Sequence, residues 1–153
     1  GETIEIGELQ LRPFTVPHDA REPLQLRCTD GARHLGVLTD LGHVTPHVLS
    51  ALAGLDALLL EFNHDTDMLA NSVYPPFLKR RVGGNWGHLS NAAAATIATA
   101  LHHSALRHLV AAHLSEQNNR PELVRQQMAQ AVGGRHEDML TASAADGTPW
   151  LDA

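Results

Sequence analysis

Two short segments, DALLLEF at residues 56–62 and the interior of HLVAAH at 108–113, are apolar at nearly every position. A strand with one wet face alternates, and a surface helix repeats every three to four residues. An unbroken run of this length therefore reads as a strand covered on both faces. Such strands belong to parallel sheets, whose connections are helices packed on the sheet. The chain supplies them. Residues 91–103 form an alanine-rich helical stretch with Ser90 as its cap, and residues 121–132 form another with Pro121 at its start. Thr45 and Pro46 supply the N-cap and first helical position of a shorter helix reaching Leu52. Between residues 65 and 82 a helical stretch is interrupted by Pro75-Pro76.

The first third differs. ETIEI, ELQLRPFTV and PLQLRC alternate apolar and polar residues between Gly, Pro or charged turns, and the hairpin-type turn Asp30-Gly31 leads into HLGVLTD. Strands first, then strands alternating with helices, predict an α/β (α+β) layered sandwich. No repeat, linker or domain boundary divides the 153 residues; residues 133–153, with Gly133-Gly134 and Gly147-Thr148-Pro149, read as a weak strand and a loose tail.

Composition excludes several classes. With 43% hydrophobic and 18% charged residues the chain is not a disordered polymer, and no apolar run approaches the roughly 20 residues of a membrane span. A net charge of −6 argues against a broad electrostatic grip on nucleic acid, though it leaves room for a local basic patch. The single Cys28 cannot form an internal disulfide, which fits a reducing, cytoplasmic setting; in its strand it reads as a small buried hydrophobe. The chain opens with Gly and no apolar signal segment, which suggests a piece of something longer. Histidine is the outlier, at eleven copies.

Several histidines follow apolar strands, where side chains converge on one sheet rim. The clusters are Pro17-His18-Asp19-Ala20, Thr39-Asp40-Leu41-Gly42, Glu61-Phe62-Asn63-His64-Asp65, Gly87-His88-Leu89-Ser90-Asn91 and Ala112-His113-Leu114-Ser115. Imidazole and carboxylate are the ligands a borderline metal such as zinc prefers. Spacing alone is a weak signal, because no two of these histidines have a metal-finger separation. Each also has an ordinary reading: His18 beside Asp19 as a strand-end partner, Asp40 as a turn residue, His113 as a hydrogen-bonded core histidine, and His88 as a neighbour orienting Ser90. His34, His43, His47, His102, His103, His108 and His136 read as solvent-exposed.

In order, TVPHDA, VLTDLGHVT, DALLLEFNHD, KRRVGGNWGHLSNAAAATIA and LVAAHLSEQNN resemble the C-terminal half of metallo-β-lactamase-fold hydrolases, from about Thr15 to Pro121. The YycJ-like branch, described as metal-dependent nucleases or phosphodiesterases, fits best. The order also resembles the transfer-RNA 3′-processing ribonucleases, in which a Gly-His-Ser/Thr element precedes the final metal histidine. The resemblance implies half of an αββα sandwich, a mixed sheet with helices on its outer face. It implies that His18 and His113 are metal ligands, that Asp40 bridges two divalent metals, and that His88 donates a proton near the leaving oxygen. His64 matches a motif typical of the YycJ-like branch, undecided between structure and substrate contact. Zinc leads as the metal, with manganese or iron also suited to His and Asp.

The chemistry implied is hydrolysis of phosphodiesters by water activated between two metals about 3.5–4 Å apart, its pKa lowered toward ~7. Protonation of the departing alkoxide by His88 would add typically about 10²–10⁴-fold. Lys79, Arg80 and Arg81 are candidates for a phosphate backbone, against the commoner reading of a solvated charge run; Ser115, Asn118 and Asn119 are candidates for hydrogen bonds to substrate.

One departure is large. The family's His-x-His-x-Asp-His, normally about a hundred residues upstream, is absent from all 153 positions. Each metal is left with two protein ligands from this chain, fewer than the three or more of a catalytic zinc site. The expectations are a chain inactive by itself, an uncovered apolar sheet face, and a companion segment or self-association to cover it. The expected function of the complete protein is a dinuclear metal-dependent hydrolase of phosphodiesters, in nucleic acid. The alternatives are a hydrolase of a small ester or cyclic phosphodiester, which the acidic net charge favours, and a non-catalytic fragment.

Overall fold

The computed structural model describes residues 2–152; Gly1 and Ala153, and with them the reading of the Gly start, lie outside the described residues. Seven strands form one sheet in chain order: β1 (Ile4–Ile6), β2 (Leu9–Thr15), β3 (Leu24–Thr29), β4 (His34–Leu38), β5 (Ala57–Glu61), β6 (His108–Ala112) and β7 (Leu140–Thr141). The first four strands pair antiparallel through short turns; from β4 to β7 the pairing is parallel. Each parallel step needs a crossover. Helix α1 (Pro46–Ala51) joins β4 to β5, while α2 (Thr66–Asn71), α3 (Pro76–Val82) and α4 (Asn91–Leu101) lie between β5 and β6, and α5 (Pro121–Val132) precedes β7.

Local chemistry sets these boundaries. Thr45 accepts a hydrogen bond from the Val48 amide and Pro46 occupies the first turn; Asp65 caps α2 through the Asp67 and Met68 amides; Ser90 caps α4 through Ala93. Pro75 and Pro76 divide α2 from α3, because proline lacks the N–H a continuing helix needs.

Register determines what each sheet face carries. Ile4 lies opposite Leu11, Leu11 opposite Cys28, Cys28 opposite Leu35 and Leu35 opposite Ala57, so all five share one face. The other face carries Phe14, Leu38, Leu58, Leu60 and Ala111. It is buried under Val48 and Leu52 of the α1 region, Ile97 of α4, and Val124 and Met128 of α5. On the first face, Ile4, Ile6, Leu9, Leu24 and Leu35 remain 41–59% exposed. The fold is thus the expected mixed-sheet half of a sandwich, with helices on one side and an apolar face open on the other. Cys28, on that open face, is half-buried.

Four histidines depart from the solvent-exposed reading. His34, His43, His103 and His108 are half-buried, whereas His47, His102 and His136 are exposed. The cause is tertiary: a ring nitrogen of His43 donates to the Asn85 carbonyl at 2.8 Å, and Nε2 of His108 reaches the Asp152 carbonyl at 2.8 Å, fastening the C-terminal segment to β6. Among the described residues, no helix is long and apolar enough to cross a membrane.

Candidate metal centre

Strands β2, β4, β5 and β6 run the same way, so the segments leaving their C-terminal ends meet at one rim, where open α/β sheets place ligands. His18 follows β2, Asp40 follows β4, Glu61 ends β5 and His113 follows β6. A bond from the Gly42 amide to the Pro17 carbonyl (2.9 Å) ties the first two loops together. His88 arrives from the loop before α4, held by its own amide on the Val82 carbonyl (2.8 Å) and by the Asn63 amide on the Leu89 carbonyl (3.1 Å). Asp40 and His113 both adopt positive φ, 53° and 56°, a conformation non-glycine residues avoid and which concentrates at functional sites.

The side chains converge on the Asp40 carboxylate. His18 Nε2 lies 3.9 Å from Asp40 Oδ1, His113 Nε2 3.8 Å and His88 Nδ1 3.8 Å. Asp40, Glu61, His88 and His113 each place a ligating atom within 4.8 Å of the others. Glu61 stands apart in this group because both its oxygens are engaged. Oε1 accepts from Nδ1 of His88 (2.9 Å) and of His113 (2.6 Å) and from the Asp40 amide (3.3 Å); Oε2 accepts from the amides of Leu89 (3.0 Å) and Leu41 (3.5 Å). Burial opposes the charged form of Glu61, but the hydrogen bonds from His113, His88 and Leu89 outweigh it and lower its pKa to about 2. The hydrogen bond to Glu61 raises the pKa of His113 against a smaller effect of burial.

These bonds settle the tautomers. Glu61 can only accept, as can the Gly87 carbonyl that Nδ1 of His18 meets at 2.9 Å, so the hydrogen sits on Nδ1 of His18, His88 and His113. Nε2 of His18 and of His113 then remains the ring nitrogen that faces the Asp40 carboxylate, and in the neutral ring it carries the lone pair a metal needs. Such a set of acceptors fits a divalent cation, and a ligating histidine anchored through Nδ1 on carboxylate or carbonyl is the usual metal-site arrangement.

Other sequence candidates fall at different distances from this centre. Asn118 (1% exposed) and Ser115 line an open cavity of about 400 Å³ with Asp40, Asn63, His88 and His113; Oδ1 of Asn118 is buried without a partner. His64 is buried beneath the rim, its backbone bridged to Ser90 and its Nδ1 unpartnered, and burial lowers its pKa by opposing the charged ring. Asn119 does not offer a donor to substrate. Its Nδ2 donates to the Phe62 carbonyl (2.7 Å) and to Asn91, its Oδ1 accepts from Asn91 and from the Arg120 amide, and the pair clamps the β5 exit to α4 and α5. Lys79 gives one of its three Nζ hydrogens to the Ala70 carbonyl at 2.6 Å; Arg80 is exposed. The residue the sequence reading passed over is Glu61. Its signal was an acid closing a run so apolar that it had to be buried, and buried acids are rare unless paired.

A half-sandwich of mixed sheet, with an imidazole–carboxylate cluster at the exits of its parallel strands, defines the class. The chain belongs to the Beta-lactamase superfamily domain family, whose model matches residues 1–114. It is 33% identical to the exodeoxyribonuclease YycJ of Bacillus anthracis over 132 residues, 86% of this chain and 50% of that protein. It is 32% identical to the exodeoxyribonuclease WalJ of Streptococcus pneumoniae over 128 residues, 84% of this chain and 48% of that one. The chain therefore spans about half the length of the curated relatives it matches. Its fold is also similar to that of the metallo-β-lactamase fold protein YhfI from Bacillus subtilis, with a TM-score of 0.67 at 16% identity, over 93% of this chain and 48% of that structure.

Proposed function

We propose that the complete protein is a metal-dependent hydrolase of phosphodiester bonds in nucleic acid, in a reducing, cytoplasmic compartment, and that this chain is the C-terminal portion of its domain. The observation that supports this most is the meeting of His18 Nε2, His113 Nε2 and the Asp40 carboxylate at one rim, with Nδ1 of both rings already hydrogen-bonded elsewhere. In this reading His18 serves one metal, His113 the other and Asp40 both, with zinc the first candidate. When bound, the metals neutralise charge on the phosphate and activate water near neutral pH. Glu61 is a positioning residue that keeps His88 and His113 aimed at the rim. To act as the acid, His88 must carry a second proton on Nε2, as the imidazolium; it gives that proton to the leaving oxygen and returns to the neutral ring, which stays hydrogen-bonded to Glu61 through Nδ1. Ser115 and Asn118 meet the substrate in the cavity beside the centre. The likeness to YycJ and WalJ supports DNA as the polymer.

The remaining ligands come from a segment outside this chain, which also covers the open sheet face; without it the chain is inactive. Asp40→Ala in the complete protein removes paired metal binding and turnover, measured as metal content per chain and as cleavage of an oligonucleotide. Unchanged turnover excludes the dinuclear reading. The net charge of −6 favours a second reading, a small phosphodiester or ester as substrate. Salt separates the two: activity on a polyanion falls steeply between low and moderate salt, and activity on a small substrate does not.

A further inference from the structure

The stretch between α2 and the His88 loop concentrates residue types that are sparse in the rest of the chain. Three of the six aromatic residues, Tyr74, Phe77 and Trp86, fall within residues 74–86, together with Lys79-Arg80-Arg81, and no Asp or Glu occurs between Asp67 and Glu116. In a chain of net charge −6 this makes one locally basic, aromatic segment. Phe77 and Trp86 are 66% and 61% exposed.

Trp86 is exposed yet braced. Its carbonyl accepts from the Asp19 amide at 2.8 Å, and its preceding peptide lies so close to Gly42 that a side chain there would collide with Asn85. The His43 ring stands edge-on to the indole, centroids 6.2 Å apart. Arg81 is braced by the same residue, its Nε donating to the Asp19 carboxylate, and it lines an open cavity of about 230 Å³ with His18 and His88. Phe77 lies one helical turn before Arg81, on the same face of α3. Asp19 directly follows His18, so a single residue fastens this surface to the metal centre.

An exposed aromatic face already fixed in place stacks on a base with little ordering, and stacking tolerates any sequence. A base inside a duplex offers no such face. We infer that residues 74–86 form a platform for single-stranded nucleic acid, with Trp86 stacking on a base and Arg81 contacting the phosphate beside His18 and His88. The inference rests on the hydrolase reading for its substrate class but makes a separate claim about binding.

The test uses the complete protein in EDTA, so that binding is read without cleavage, and labelled oligonucleotides followed by fluorescence anisotropy. A single strand binds more tightly than a duplex of equal length, and Trp86→Ala weakens it about tenfold. Arg81→Ala weakens binding and lowers the salt slope by about 1. In a complete protein whose tryptophans other than Trp86 are replaced by phenylalanine, Trp150→Phe among them, titration with the strand quenches the remaining indole emission. This arm does not depend on how the Trp86 variant folds. Duplex preference, or unquenched emission with full affinity in Trp86→Ala, overturns the platform. Cleavage of a small phosphodiester by wild type without strand binding removes the platform and leaves the hydrolase. Trp86-dependent strand binding without metal-dependent cleavage does the reverse.

Discussion

Glu61 is wholly buried, yet its carboxylate accepts from two imidazoles and from the Asp40, Leu41 and Leu89 amides, and its pKa sits at about 2. Its role is to set where the hydrogens of its neighbours lie. In Glu61→Gln one acceptor oxygen becomes an NH2 that only donates: at the Oε2 position it opposes the Leu41 and Leu89 amides, and at the Oε1 position it opposes both imidazoles and the Asp40 amide, so either placement disturbs how the two rings are held. Metal affinity of the complete protein should fall about 10–100-fold, as for other partners of metal ligands, measured by competition with a chelator. Equal affinity would show that Glu61 does not fix the tautomers. The shape of the side chain is kept, so the loss reports on hydrogen placement rather than on packing.

Elements bring these residues together through close approaches that glycine permits. Gly36 of β4 lies under the end of α1, where an added Cβ would meet Leu55 Cδ1 at 2.5 Å and Leu52 Cδ2 at 2.7 Å. Those are the ends of flexible side chains and can give way. Gly87, just before His88, faces the backbone carbonyls of Arg81 and Val82, which cannot. Gly36→Ala should cost about 1–3 kcal/mol and leave metal binding intact, whereas Gly87→Ala should displace the His88 loop and weaken metal binding as well. Denaturant unfolding together with metal titration distinguishes them; equal effects of the two substitutions on metal binding would contradict the loop's role.

At the scale of the whole molecule, the sheet has one finished face and one unfinished face. The exposed Ile4, Ile6, Leu9, Leu24 and Leu35 share the side away from α1, α4 and α5, and a contiguous apolar surface of this kind marks an interface. The chain alone should self-associate, and Ile6→Lys with Leu35→Lys should make it monomeric in sedimentation velocity. The same pair in the complete protein should destabilise it, because there the two lysines would be buried without partners. A monomeric unsubstituted chain would show that this face needs no cover.

Much of this was legible in the sequence because its causes are local. Unbroken apolar runs marked β5 and the interior of β6, alternation marked β1 to β3, and Thr45, Asp65, Ser90 and the prolines set helix ends, since caps and proline act within a few residues. His18, Asp40 and His113 stood out because each follows an apolar run; His88, which follows the polar stretch KRRVGGNWG after α3, was marked by the family resemblance. What escaped depended on residues distant in sequence. Glu61 gained its role only when sheet order set β5 between β4 and β6, and Asn119 lost its expected donor to Asn91 and Phe62. His43 and His108 read as exposed from the sequence because the carbonyls that hold them lie 42 and 44 residues away. Strand and helix identity follows from neighbours along the chain, and the sequence alone determined it. Which hydrogen faces which lone pair at the rim follows from neighbours in space, and only the tertiary structure decided it.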